Sequence, residues 1–168
     1  MAPLVESVLT LYSNKMKGKN IQIRRQFAEC PPVMGVPGEL RQAVSNLISN
    51  AADAVGIDGI IQVRLQCNEE VSGRIVTVMV EDNGPGVPSE HSERIFEPFF
   101  TTKQDVGTGL GLWVTKGIVD RHGGTIAVRA KKEDGAGGAA FTIHLPVLPP
   151  EQIAVEVPCE SEPSSTQS

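Results

Sequence analysis

The sequence predicts an α+β fold, a two-layer α/β sandwich in which a mixed, mostly antiparallel sheet carries helices on one face. Two observations lead there. The elements run helix, strand, helix, two strands, helix, two strands, and each pair of neighbouring strands is joined by a polar or Gly-bearing turn, as in a hairpin. The strict strand and helix alternation that a doubly wound sheet needs is missing.

In order, Pro3 to Lys17 places Leu4, Val5, Val8, Leu9, Tyr12 and Met16 on one helical stripe with a basic end. Ile21 to Phe27 alternates as a strand with one buried face, closed by Pro31 and Pro32. A helix from Gly38 to Val55 is stopped by Gly56 and Gly59. Strands follow at Ile60 to Cys67 and Arg74 to Glu81, then irregular chain with a short helix at Ser89 to Phe96. A further helix begins within Gly109 to Leu112 and runs to Arg121, where His122-Gly123-Gly124 closes it. Thr125 to Ala130 and Ala139 to Leu145 supply the last two strands.

The 168 residues suit one domain, expected over residues 1–148, with 149–168 as an acidic, Pro- and Ser-rich tail that cannot build a core. No stretch approaches the ~18 apolar residues of a membrane span, so no direct membrane contact is expected. The three cysteines are odd in number and far apart, which fits a reducing cytoplasm better than a disulfide framework. Of the net charge of -5, the tail acids Glu151, Glu156, Glu160 and Glu162 contribute four, leaving the domain nearly neutral. No basic stripe suited to nucleic acid is present, and Lys131-Lys132 reads as a solvated turn.

Eight of the 17 glycines lie between Gly84 and Gly124, and three of the five phenylalanines between Phe96 and Phe100, so chemistry is sought there. Three segments carry it. On the helix from Gly38 to Val55, Glu39, Gln42, Asn46, Asn50 and Asp53 fall within about 40° of Asn46 around the axis, opposite Leu40, Val44, Leu47, Ile48 and Ala51. Such a polar line is either a solvated face or, with amide oxygens at i and i+4, a place for a hard cation such as Mg²⁺. Asp82-Asn83-Gly84-Pro85-Gly86 at a strand end is turn chemistry, yet Asp82 there can also accept a hydrogen bond from a ligand amino group over a glycine floor. Gly107-Thr108-Gly109-Leu110-Gly111-Leu112 opens a helix, where backbone N–H groups suit phosphates. It is not a Walker loop.

In order, Asn46 to Asn50, Asp82 to Gly86, Phe96 to Phe100 and Gly107 to Gly111 resemble the N box, first glycine box, F box and second glycine box of the catalytic, ATP-binding domain of sensor histidine kinases. That domain belongs to an ATPase superfamily shared with gyrase, and the resemblance covers residues 1–146. It implies the Bergerat fold, with ATP held between helices and a lid spanning 87–106. It implies Mg²⁺ on Asn50, Asn46 beside the phosphates and Asp53 on the same nucleotide-binding face. It further implies the adenine amino group on Asp82, glycines Gly84 and Gly86 beneath the ring, and Gly107, Thr108, Gly109, Leu110, Gly111 and Leu112 around the phosphates. Phe96, Phe99 and Phe100 would anchor the lid, or simply fill the core.

Departures from the family pattern sharpen this. Hydrolysing relatives place a Glu where this chain has Asn46, which cannot take a proton at neutral pH, so transfer is favoured over hydrolysis. Lys103 follows the aromatic pair where many kinases have Arg, and becomes the candidate for neutralising the γ-phosphate. Ala139-Ala140 stands where the family often has a Thr near the adenine. The three histidines, His91, His122 and His144, lack the His-Glu/Asp context of a phosphoacceptor. The resemblance therefore implies that residues 1–18 are the connecting helix after an absent dimerisation domain, whose His accepts phosphate and passes it to a response regulator. The other readings are a serine-protein kinase of the anti-sigma type and a non-catalytic ATP-gated module.

Overall fold

A computed structural model of the chain describes residues 1–70, 73–101, 108–130 and 137–147. The expectations for Lys103, Gly107, Lys131, Lys132 and the tail lie outside those residues.

Among the described residues, four α-helices and five strands make two layers. The strands are β1 (Gln22–Phe27), β2 (Ile60–Glu70), β3 (Gly73–Asp82), β4 (Thr125–Ala130) and β5 (Ala139–Pro146), in sheet order β1-β2-β3-β5-β4. The helices are α1 (Ala2–Leu11), α2 (Ser13–Gly18), α3 (Pro37–Ala54) and α4 (Gly111–Arg121). β1 pairs parallel with β2, and the other three pairings are antiparallel, so the sheet is mixed as expected. The parallel pair is bridged by α3, because parallel neighbours need a long crossover whereas the antiparallel pairs need only a turn.

Period-2 alternation decides which face is covered. Ile61, Val63 and Leu65 on β2, Val76, Val78 and Val80 on β3, and Phe141, Ile143 and Leu145 on β5 are buried under the helices. Gln62, Arg64 and Gln66 alternate with them on the other face. α3 supplies Leu40, Val44, Leu47, Ile48 and Ala51 to this core, and α1 adds Val5, Val8 and Leu9.

Local chemistry explains the limits of α3. Pro37 sits in its first turn with Glu39 beside it, both suited to a helix start. Its last turn holds no basic residue. The cation comes instead from Lys19, whose ammonium donates to the carbonyls of Ala52 (2.9 Å) and Val55 (3.2 Å).

Three expectations are corrected. The amino-terminal stripe is not one helix: the chain bends at Tyr12, although the bonds Tyr12 N–H to Val8 (3.2 Å) and Met16 N–H to Tyr12 (3.0 Å) continue across it. The Tyr12 hydroxyl is tied to Ser45 Oγ of α3 at 2.9 Å, and Leu11 is left exposed at the joint. The buried face of β1 is incomplete, with Ile23 and Phe27 only partly covered, because β1 is the edge of the sheet formed by the described residues. The segment from Ser89 to Phe96 forms two single 3-10 turns, Ser89–His91 and Arg94–Phe96, in place of one helix.

Leu47 has no exposed surface, so Leu47→Ala should lower unfolding free energy in urea by about 2–5 kcal/mol, while Leu11→Ala should stay within about 0.5 kcal/mol.

Candidate functional site

The cleft lies beyond the ends of β3 and β5, between α3 and α4, and has a volume of about 580 Å³. That is the size of a small-ligand site. α3 presents Asn50 and Asp53 to it, the turn after β3 presents Pro85 and Gly86 next to Asp82, and the start of α4 presents Gly111 and Leu112. Thr108 and Gly109 line it from the preceding loop, and Ile95 and Phe100 from the irregular segment.

Asp82 is the last residue of β3 and is only 5% exposed. Its Oδ1 accepts the N–H of Gly84 at 2.9 Å, and the N–H of Ala139, across from it on β5, also bonds the carboxylate. Burial pushes the carboxyl above the ordinary carboxylate range, and the two backbone donors pull it part of the way back. A carboxylate has lone pairs beyond those its two backbone donors use, so Asp82 in the cleft lining is suited to accept from a ligand donor as well.

Two glycines close the walls in conformations other residues resist. Gly86 has φ +80, and a Cβ there would lie 2.7 Å from the carbonyl oxygen of Gly138. Gly109 has φ +66, and a Cβ would lie 2.5 Å from the backbone of Phe99. The contact is a strap: the N–H of Phe99 donates to the carbonyl of Gly109 at 3.1 Å. The F-box segment and the glycine loop are thereby held against each other at the cleft mouth.

The structure sorts the residues expected from the sequence. Asn50, Asp53, Asp82, Gly86, Thr108, Gly109, Gly111 and Leu112 line one cleft. Gly84 stands just behind, where a Cβ would meet the carbonyl of Ala54 at 2.8 Å. Leu110 is the residue before α4 and lies outside the cleft lining. Asn46 is turned toward α4: its Nδ2 donates to the carbonyl of Gly111 (3.0 Å) and to Thr115 Oγ1 (3.1 Å), and that hydroxyl itself donates to Gly111 (2.8 Å). Thr115 is fully buried, so this small network welds α3 to the first turn of α4.

The phenylalanines divide. Phe96 and Phe100 pack partly buried against the core, with Arg94 stacked 4.8 Å over the Phe100 ring and His91 at its edge, 5.3 Å between centroids. Phe99 is 74% exposed with φ 65, so as part of a hydrophobic anchor it is corrected: the Gly109 strap turns its side chain to solvent. Trp113 is likewise half exposed. His122 binds backbone on both nitrogens, with Nε2 accepting from Val36 N–H (3.0 Å) and Nδ1 against the Ile118 carbonyl (2.8 Å), while His144 pairs with Thr77 (3.1 Å). Ile95 and Phe141 line the cleft without having been expected there; for Phe141 the inward alternation of β5 was the available signal.

Comparison with known proteins places this arrangement. A family model described as histidine kinase-, DNA gyrase B-, and HSP90-like ATPase matches residues 35–149. The chain belongs to that family. Within it, the relatives are sensor kinases: the chain is 38% identical over 145 residues to the sensor histidine kinase ZraS of Escherichia coli K12, covering 86% of this chain and 30% of the relative. It is 39% identical over 151 residues to the C4-dicarboxylate transport sensor protein DctB of Rhizobium meliloti, covering 86% and 22% respectively. The chain thus spans under a third of either relative. Among solved structures it is similar to the catalytic domain of histidine kinase ThkA, at TM-score 0.76 and 33% identity over 88% of this chain and 95% of that one. Full-length ShkA in complex with AMPPNP matches at TM-score 0.74 and 29% identity, over 86% of this chain and 29% of that one. By family, fold and coverage, the chain is a histidine kinase catalytic domain of the Bergerat type.

The direction of the Asp82 shift has a stability consequence. The folded protein holds this proton more tightly than the unfolded chain does, so its contribution to stability is largest at low pH. That contribution falls as pH rises from the ordinary carboxylate value through the raised one. Ligand-free Asp82→Asn should therefore melt at or above the wild-type temperature at pH 7, with a flatter acid-side pH dependence. A clearly lower melting temperature would contradict the burial argument.

Proposed function

We propose that this domain binds Mg-ATP in the cleft and transfers the γ-phosphate to a histidine on a separate dimerisation domain, within two-component signalling. The observation that carries the reading is the buried Asp82 carboxylate in the lining of a cleft that Gly86 and Gly109 help to wall and that opens onto the start of α4. In this reading Asp82 accepts the adenine amino group, and Gly84 and Gly86 let the ring lie against backbone. Gly107, Thr108, Gly109, Leu110, Gly111 and Leu112 surround the phosphates, with N–H groups at the helix start favouring negative charge. AMPPNP in the ShkA relative supports nucleotide as the ligand class.

Asn50 would hold Mg²⁺ through its amide oxygen, with Asp53 one turn further along the same face. The residues fit a hard cation that keeps waters and takes phosphate oxygens, since the α3 face offers oxygen donors beside the cleft. When bound, the ion supplies charge neutralisation between phosphate oxygens. Lys103 would neutralise the γ-phosphate as the leaving bond stretches. Asn46 contributes as a group that cannot serve as a base toward water, and its amide sets the position of Gly111 and α4. Transfer to an imidazole brought in line by the partner then competes well against hydrolysis.

The partner domain, dimeric in the full-length protein, and a downstream response regulator are inferred from the sensor-kinase relatives, as is a cytoplasmic setting. Among the described residues no helix is long and apolar enough to cross a membrane.

Asn50→Ala should remove most of the Mg²⁺ dependence of ATP binding, read by calorimetry with and without chelator; unchanged dependence would exclude Asn50 as the ligand. With radiolabelled ATP and a separately supplied His-bearing dimerisation domain, the expected product is an acid-labile, alkali-stable phosphoprotein. Acid-stable label would indicate a serine-protein kinase, and absence of label from a chain that binds ATP would indicate a nucleotide-gated module.

A further inference from the structure

The amino-terminal helices meet the cleft wall at one ion pair. Lys15 of α2 reaches Asp53 of α3 at 2.7 Å, and Asp53 is part of the cleft lining. Contacts on both sides hold α2 in reach: the Tyr12 hydroxyl on Ser45 (2.9 Å) before Lys15, and the Lys19 ammonium on the carbonyls of Ala52 (2.9 Å) and Val55 (3.2 Å) after it. The helix bearing Lys15 is therefore moored to α3 at each end, and the pair forms without a long side chain searching for its partner.

For folding, such a pair matters little, since its side chains are 38% and 34% exposed and solvent screens them. For the cleft the same charge matters more. Among the described lining residues the charged ones are Asp53 and Asp82, both acidic. Apolar walls at Ile95, Phe100, Leu112 and Phe141 displace water and concentrate their field. A nucleoside triphosphate carries several negative charges into this space.

We infer that Lys15 is a positioning residue for triphosphate binding, acting through Asp53: it draws that carboxylate toward α2 and offsets its repulsion of the phosphates. The inference rests on the nucleotide reading of the cleft. Its signature is dependence on ligand charge and on Asp53. A role in merely docking α2 would have neither.

The test is calorimetric titration of the whole chain with ATP and Mg²⁺, and separately with AMP, for wild type, Lys15→Ala, Lys15→Arg, Asp53→Asn and the Lys15→Ala/Asp53→Asn pair. Lys15→Ala should weaken ATP about threefold to tenfold and AMP by less than about twofold, and Lys15→Arg should recover ATP affinity. In the Asp53→Asn background the same Lys15→Ala step should change ATP affinity by less than about twofold. Equal losses for ATP and AMP, an undiminished effect in that background, or no effect of Lys15→Ala would each overturn the inference. Failure of the wild type to bind either nucleotide would overturn the reading of the cleft itself, an outcome distinct from those three.

Discussion

The packing of one face of α3 onto the sheet is the constraint from which the site follows. Leu47 and Ile48 have no exposed surface, and with Val44 and Ala51 they leave the helix a single allowed rotation above β2 and β3. Once that rotation is set, Asn50 and Asp53 must face the cleft, and Asn46 must face α4, because a helix cannot turn one stripe without turning the other. The hydrogen bonds from Asn46 to Gly111 and Thr115 then set where α4 begins. An apolar contact on one side of the helix thus places the polar chemistry on the other.

Burial and hydrogen bonding pull against each other at Asp82. A carboxylate buried at the end of β3 with two backbone donors is costlier to hold ionised than one in water, and the protein keeps it in the cleft together with a second carboxylate, Asp53. The same economy governs the loop side, where Gly86 and Gly109 occupy left-handed conformations and approach backbone too closely for any side chain.

Much of the architecture was legible in the chain. Period-2 alternation in β2, β3 and β5 and the two-faced pattern of α3 are direct consequences of burial on one side, so their limits fall within a few residues of those expected. Less was legible where a segment's conformation depends on a distant partner. The bend at Tyr12 accompanies a bond to Ser45, more than thirty positions away. The exposure of Phe99 follows from its strap to Gly109, and an aromatic cluster in a sequence carries no sign of which ring will be turned outward. His122, which reaches across to the N–H of Val36, had no local signal at all.

By itself, then, the sequence determined the fold class, the family and most of the residues that come to line the cleft, because periodicity, turn chemistry and short motifs are local properties. Tertiary structure alone decided what each residue does with its neighbours. It turned Asn46 from the cleft to the α4 junction, brought Ile95 and Phe141 into the lining, and set Lys15 against Asp53. These outcomes depend on distances between elements far apart in the chain, and those distances are fixed only when the apolar faces close on a common core.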